Sequence, residues 1–449
     1  MKKLDRNPRF LAVKLLERIE KNGSYSNLAL NQTIKKSQLD ERDVGLLTNI
    51  VYGVIQRKLT LEFYLDGFIK NGRKVEPWVY ELLKTALYQQ LYLDKIPKRA
   101  IFNETIEIAK VNGHEGIRRF VTGILHEIER KGLPDPSNVK DSAEKISIES
   151  STPKWLVEKL TEELGFEKTI SLLKSINEPP AQSIRVNLAK NTVHQAVSAL
   201  EKEGFKVSKS LVSPLGLRVS GGFIPHSDAY KRGLVTVQDE SAMLAVDSMD
   251  VKSTDVVLDG CAAPGGKTMQ IAAVLDSGRV YALDIHAHKV GLIEKNAELC
   301  GVTNYVTAKK TDARKAKEEF DEESFDKVLI DAPCSGLGLM RRKPEVKYDK
   351  HFKDSLSLHD VQVGILDQVA ELVKPGGRLT YSTCTILNEE NQATVDAFLK
   401  RHPEFYQIKT ETSFKIKDER KTLGLTIYPD DFGSDGFFIA TLMKKRGMR

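Results

Sequence analysis

Apolar residues at three- and four-residue spacing dominate the chain from residue 9 to about 130. In 40–57, Val44, Leu47, Ile50, Val51, Val54 and Ile55 fall on one face of a predicted helix. Asp40 stands at its N-cap, with Asp43 three residues on to help meet the free amides of the first turn. Similar stripes occupy 9–20, 76–93 and 99–110, with Pro77 and Pro97 near helix starts. The pattern predicts a helical bundle. The run GLPDPSN (132–138), with two prolines and a glycine, breaks it as a linker does.

A second section opens near Thr152, a predicted helix cap with Pro153 in the first helical position. Two short helices, a strand SIRVN (183–187), a helix over about 192–203 and a strand near 205–212 make a small α/β module over 145–235. From residue 240, apolar strands at 255–259, 280–285, 305–308, 326–331 and 377–383 alternate with helices, and SDGFFIATL (434–442) reads as a last strand. Alternation of this kind predicts a mostly parallel, doubly wound α/β sheet. The expected chain is therefore multidomain. An all-α bundle covers 1–135, the module 145–235, and a Rossmann-like domain 236–449.

Charge sharpens this division. The net +6 is distributed as 26 Lys and Arg against 20 Asp and Glu in 1–150, 12 against 8 in 151–235, and 30 against 34 in 236–449. A basic front half beside a slightly acidic sheet domain suits an enzyme whose polyanionic substrate is gripped by the accessory part. Ordinary surface charge is the competing reading. No apolar run is long enough to cross a bilayer, and the start MKKLDRNPRF carries no secretory pattern, so a cytoplasmic location without membrane partners is expected. Four cysteines without a C-x-x-C pair suggest reduced thiols, and no metal site.

Doubly wound sheets bind ligands beyond the carboxyl ends of their strands, and four motifs lie there. In VVLDGCAAPGGKT (256–268) a buried strand runs into a loop of small residues, Cys261, Ala262, Ala263, Pro264, Gly265 and Gly266, followed by Lys267. The glycines let a ligand approach the backbone beside a helix start. The loop matches neither a P-loop nor G-x-G-x-x-G, so a nucleoside-bearing ligand without phosphates fits better. YALDI (281–285) ends in Asp284, 25 residues after Asp259, where a carboxylate accepts ribose hydroxyls. Asp312 in KKTDAR is a parallel contact beside the adenine, and helix capping explains it equally well. VLIDAPCSGLG (328–338) places Asp331 and then Cys334 on a proline-stiffened turn, and RLTYSTCTI (378–386) closes on Cys384. A Pro-Cys turn goes with methylation at carbon 5 of pyrimidines, where exocyclic-amine methylases carry an Asn/Asp-Pro-Pro-aromatic turn. A lone cysteine after a strand is usually a small core residue. Two on one ligand-binding edge are not explained that way.

These four segments resemble the RNA 5-methylcytosine methyltransferases of the Nop2/Sun superfamily. The chain as a whole, with a front end similar to the antiterminator NusB, resembles their bacterial Sun/Fmu (RsmB) branch, which acts on 16S ribosomal RNA. The resemblance implies S-adenosylmethionine bound by Cys261 through Lys267 with Asp284, Asp312 and Asp331. It implies Cys384 as nucleophile and Cys334 as the second cysteine, and 16S rRNA, free or in a partly assembled small subunit, as partner. Thiolate addition at carbon 6 is what makes carbon 5 of cytosine nucleophilic. Charge then builds on N3, for which Asp331 is the expected partner, oriented or neutralised by Lys267. Arg341, Arg342 and Lys343 in the loop MRRKPE are expected to hold RNA phosphates, with a solvated charge run as an equal alternative. Transfer RNA as substrate, a non-catalytic RNA-binding factor, and a zinc site on Cys261, Cys334 and Cys384 are the rival readings.

Overall fold

The stripe in 40–57 forms the helix Glu41–Gln56, and Asp40 caps it by accepting the Asp43 amide at 2.8 Å. Leu47, Ile50, Val51, Val54 and Ile55 are buried along it. In the computed structural model, which describes residues 4–22, 26–69 and 74–446, the chain divides into two compact units. The first holds the described part of 1–177 together with Met340–Lys350, and the second holds Glu178–Leu339 and the described part of 351–449.

Unit one is helical. Pro8–Asn22, Glu41–Gln56, Pro77–Tyr92, Lys98–Asn112 and Glu115–Lys131 surround a core that includes Val13, Leu47, Leu61, Leu83 and Val121. The helices Ser142–Ser150, Lys154–Leu164 and Phe166–Ser175 also lie in this unit. The expected Thr152 cap does not form. Ser151 takes a left-handed conformation that ends the preceding helix, the buried Thr152 hydroxyl turns back to the Ser150 carbonyl, and Pro153 occupies the cap position.

Residues 345–348 are built into unit one. Glu345 accepts the amide (3.2 Å) and hydroxyl (2.9 Å) of Ser26, where the helix Ser26–Ser37 begins. Lys347, fully buried, donates to the Gln56 carbonyl at 3.0 Å, where Glu41–Gln56 ends. A carboxylate at a helix start and an ammonium at a helix end each oppose the local dipole. Burial pushes the Lys347 ammonium well down from the ordinary lysine range.

Unit two contains two sheets. The smaller is antiparallel in the order β2-β3-β1-β4, from β1 (Gln182–Val186), β2 (Lys206–Lys209), β3 (Gly216–Ser220) and β4 (Val235–Val237). The larger runs β10-β12-β9-β8-β5-β6-β7, with β11 paired to β12. Its strands are β5 (Val256–Asp259), β6 (Arg279–Asp284), β7 (Val306–Lys310), β8 (Phe325–Asp331), β9 (Val373–Thr383), β10 (Phe405–Ile408), β11 (Leu425–Ile427) and β12 (Phe437–Lys444). β5 to β9 pair in parallel, while β10, β11 and β12 pair antiparallel. From β5 the chain builds outward through β6 and β7 on one side, then returns to build β8 and β9 on the other. The crevice between β5 and β8 is therefore the switch point at which such sheets bind ligands.

Candidate active site

Both strands flanking the switch point end in an aspartate. After Asp259 the backbone turns through a cis Ala263–Pro264 bond and a positive φ of 101° at Gly265 into the helix Gly266–Ala272. Gly260 is needed for close packing, since a Cβ there would stand 2.5 Å from the Ile330 side chain. The loop is pinned to its neighbours by Gly260 N to Leu329 O (2.9 Å) and Ala262 N to Leu283 O (2.8 Å). A Cβ at Gly266 would meet nothing closer than Gln238 at 4.0 Å, so open space lies over the helix start. Asp284, at the tip of β6, accepts the His286 amide on Oδ1 at 2.9 Å, while Lys289 stands 3.8 Å from Oδ2. Open space over the helix start and a carboxylate at the tip of the next strand suit the amino-acid tail and ribose of a nucleoside ligand.

Asp312 is differently occupied. It caps the short helix Ala313–Glu318 through the Arg314 amide and forms a paired contact with the Arg314 guanidinium, with Nη2 at 2.7 Å. That hydrogen-bonded pair holds its carboxyl below the usual range.

Asp331 ends β8 and is oriented from two sides. Lys267 Nζ donates to Oδ2 at 2.8 Å across the switch point, and the Ser382 hydroxyl donates to Oδ1 at 2.9 Å. Asp259, beneath them, is buried and accepts from Thr268 at 2.7 Å. Burial pushes its carboxyl up to about 7. The half-buried Cys261 is likewise pushed up, first by burial and then by the carboxylates of Asp259 and Asp331.

The Pro-Cys turn after β8 and the residue after β9 bring Cys334 and Cys384 together, sulfur to sulfur, at 3.3 Å. The Cys334 thiol is held well above its ordinary range, first by this contact, then by burial and by the nearby charges of Glu390 and Asp331. Either sulfur can donate in this contact, and the raised Cys334 thiol favours Cys334 as the donor.

Three comparisons bear on this geometry. A family model described as NusB matches residues 6–130, a ferredoxin-like domain of RsmF/B-like methyltransferases matches 152–223, and 16S rRNA methyltransferase RsmB/F matches 246–443. The probable ribosomal RNA small subunit methyltransferase B of Bacillus subtilis is 42% identical over 441 residues, covering 97% of this chain and 98% of its own. This chain belongs to the RsmB/F family of rRNA methyltransferases. The corresponding probable enzyme of Synechocystis is 33% identical over 97% of this chain and 99% of its own. The crystal structure of PH0851 matches with a TM-score of 0.82 at 28% identity, over 97% and 99% of the two chains. The helical, ferredoxin-like and Rossmann-like parts are those of an RsmB/F enzyme, and S-adenosylmethionine is the methyl donor of this family.

The expected residues Cys261 to Lys267, Asp284, Asp331, Cys334 and Cys384 all lie on the carboxyl edge of the larger sheet. Arg341, Arg342 and Lys343 do not; they lie in the Met340–Lys350 segment of unit one. Sequence reasoning missed Thr268, Ser382, Gln362 and Glu390, hydroxyl, amide and acidic residues that carry no motif of their own. The clue available for Thr268 was its place at the end of the glycine loop, nine residues from Asp259. Among the described residues no group of three or more His, Cys, Asp or Glu side chains is placed to hold a metal.

Proposed function

We propose that this RsmB/F enzyme transfers a methyl group from S-adenosylmethionine to carbon 5 of a specific cytosine in 16S rRNA, through a covalent bond between Cys384 and carbon 6. The observation that carries the reading is the thiol pair at 3.3 Å on the same edge as the Lys267–Asp331 pair. Two sulfurs in contact beside an oriented carboxylate match the separate needs of attack, charge stabilisation and release.

S-adenosylmethionine, when bound by the 261–267 loop with Asp284, Asp312 and Asp331, supplies an electrophilic methyl to the nucleophilic carbon 5. Cys384, accepting a hydrogen bond from Cys334, adds as thiolate to carbon 6, and the displaced electron pair moves toward N3. N3 takes up a proton through Asp331 as that charge develops and gives it back when the ring double bond is restored, and Lys267 balances the Asp331 carboxylate in between. After transfer, the proton on carbon 5 leaves to a water that the Cys334 thiol positions. The electron pair of that C–H bond restores the ring double bond as the carbon–sulfur bond breaks, returning the thiolate of Cys384.

RNA is held outside this edge as well. The basic excess of residues 1–135 and the cluster Arg341, Arg342 and Lys343 supply phosphate contacts.

The test separates the cysteines. Incubated with rRNA and S-adenosylmethionine, Cys384→Ala should give neither methylation nor adduct. Cys334→Ala should accumulate protein joined to RNA, a slow band on a denaturing gel that RNase removes. An adduct in Cys384→Ala that is absent from Cys334→Ala would assign attack to Cys334, as in the DNA 5-methylcytosine enzymes.

A further inference from the structure

The two cysteines sit on different loops, and a buried polar network holds those loops to each other. Glu390, completely buried in the segment that follows Cys384, accepts the backbone amide of Ser335 at 2.7 Å, the residue after Cys334. Its Oε2 also receives the Gln362 amide at 3.2 Å, and that same amide donates to Pro333 O at 2.9 Å. The Ser335 and Thr385 hydroxyls meet at 2.8 Å, and Tyr381 donates to the Glu390 carbonyl at 2.6 Å. Ser335, after Cys334, is thus held by the Glu390 carboxylate, and Pro333, before it, by the Gln362 amide bonded to that carboxylate, whose Oε1 has no hydrogen-bond partner among the described residues. A buried carboxylate tolerates such an orphan oxygen only at a cost, and a neutral glutamine there would hold the Ser335 amide as well.

We propose that Glu390 is the positioning residue that divides the labour between the two thiols. Its side chain clamps the Pro-Cys turn at sulfur contact, and its negative charge beside Cys334 keeps that sulfur a hydrogen-bond donor, leaving Cys384 to carry the thiolate. This rests on the reading above, that Cys384 attacks. The other groups facing Cys334 are Cys384, Asp331 with Lys267 paired to it, and Tyr381. Asp331 is paired with the Lys267 ammonium, whereas the hydrogen bonds to the Glu390 carboxylate come from the neutral amides of Ser335 and Gln362. The same charge disfavours a second thiolate 3.3 Å from the first.

The full chain without RNA tests this by alkylation with iodoacetamide across pH, each cysteine followed by peptide mass spectrometry. In the wild type Cys384 should react at lower pH than Cys334. Glu390→Gln should move the Cys334 profile to lower pH and raise its rate near neutrality by about tenfold or more, as thiolate fraction follows pKa. Glu390→Asp, which keeps the charge, should leave the order of reaction as in the wild type. An unchanged Cys334 profile in Glu390→Gln, with melting and S-adenosylmethionine affinity intact, would overturn the role of Glu390. A wild type that alkylates first at Cys334 would instead overturn the nucleophile assignment. Should Glu390→Gln fail to fold, Glu390→Asp carries the test, and Cys334 alkylating ahead of Cys384 in that variant would contradict the proposal.

Discussion

Asp284 and Asp259 stand at the tips of neighbouring strands and do opposite things. Asp284 accepts the His286 amide on Oδ1 and keeps Oδ2 3.8 Å from Lys289, so Asp284→Ala should weaken S-adenosylmethionine binding by about 1–3 kcal/mol in isothermal titration, the cost of leaving hydroxyls unpaired. Unchanged affinity in a folded variant would remove it from the site. Asp259 is a buried acid pushed up to about 7 from 3.8. Between those values the folded chain keeps a proton that the unfolded chain has released, so ionisation costs stability increasingly as pH rises through the window. Asp259→Asn removes that cost while keeping an acceptor for Thr268. Its melting temperature relative to the wild type should climb from pH 5 to pH 7, and a constant difference would contradict a raised Asp259. At this scale the motif residues were legible because glycine, cysteine and strand-end aspartate are chemically unusual where they stand. Glu390 was not, because an acid in LNEENQ looks like any solvated charge until the fold buries it.

Among the elements, β5 to β9 were legible from apolar runs that alternate with helices. β3, β4, β10 and β11 were not, because they are short strands outside that alternation whose pairing depends on their partners. The most consequential link between elements was hidden in the same way. Arg185, a polar residue inside β1, is buried and donates to the Gly266 carbonyl at 2.6 Å, to Gln238 and to Gln270. One guanidinium thereby ties the small antiparallel sheet to the start of the cofactor-loop helix. Burial lowers its pKa to about 10, which leaves it charged at neutral pH. Arg185→Met should strand these acceptors, at about 1–3 kcal/mol for each group left unpaired. A lowered melting temperature and weaker S-adenosylmethionine binding together are the expected result. Loss of stability with unchanged cofactor affinity would make the tie purely structural.

For the molecule as a whole, the three-part organisation followed from helical periodicity, a linker and strand alternation. What periodicity could not show is that residues 340–350 leave the sheet domain's sequence and pack within unit one, where Glu345 and Lys347 cap helix ends. The basic excess of the front half predicts rRNA affinity that falls steeply with salt in filter-binding or anisotropy measurements on the full chain. Replacing Arg341, Arg342 and Lys343 with alanine should reduce the slope, since each lost phosphate contact releases one fewer counterion. An unaltered slope would take these three out of the interface. The product decides which base and atom the enzyme methylates, and nucleoside mass spectrometry reads it from unmodified 16S rRNA after incubation with the purified protein and labelled S-adenosylmethionine. Label is expected in 5-methylcytidine with the wild type and none with Cys384→Ala. Label in another nucleoside, or 5-methylcytidine formed by Cys384→Ala, would contradict the proposed reaction.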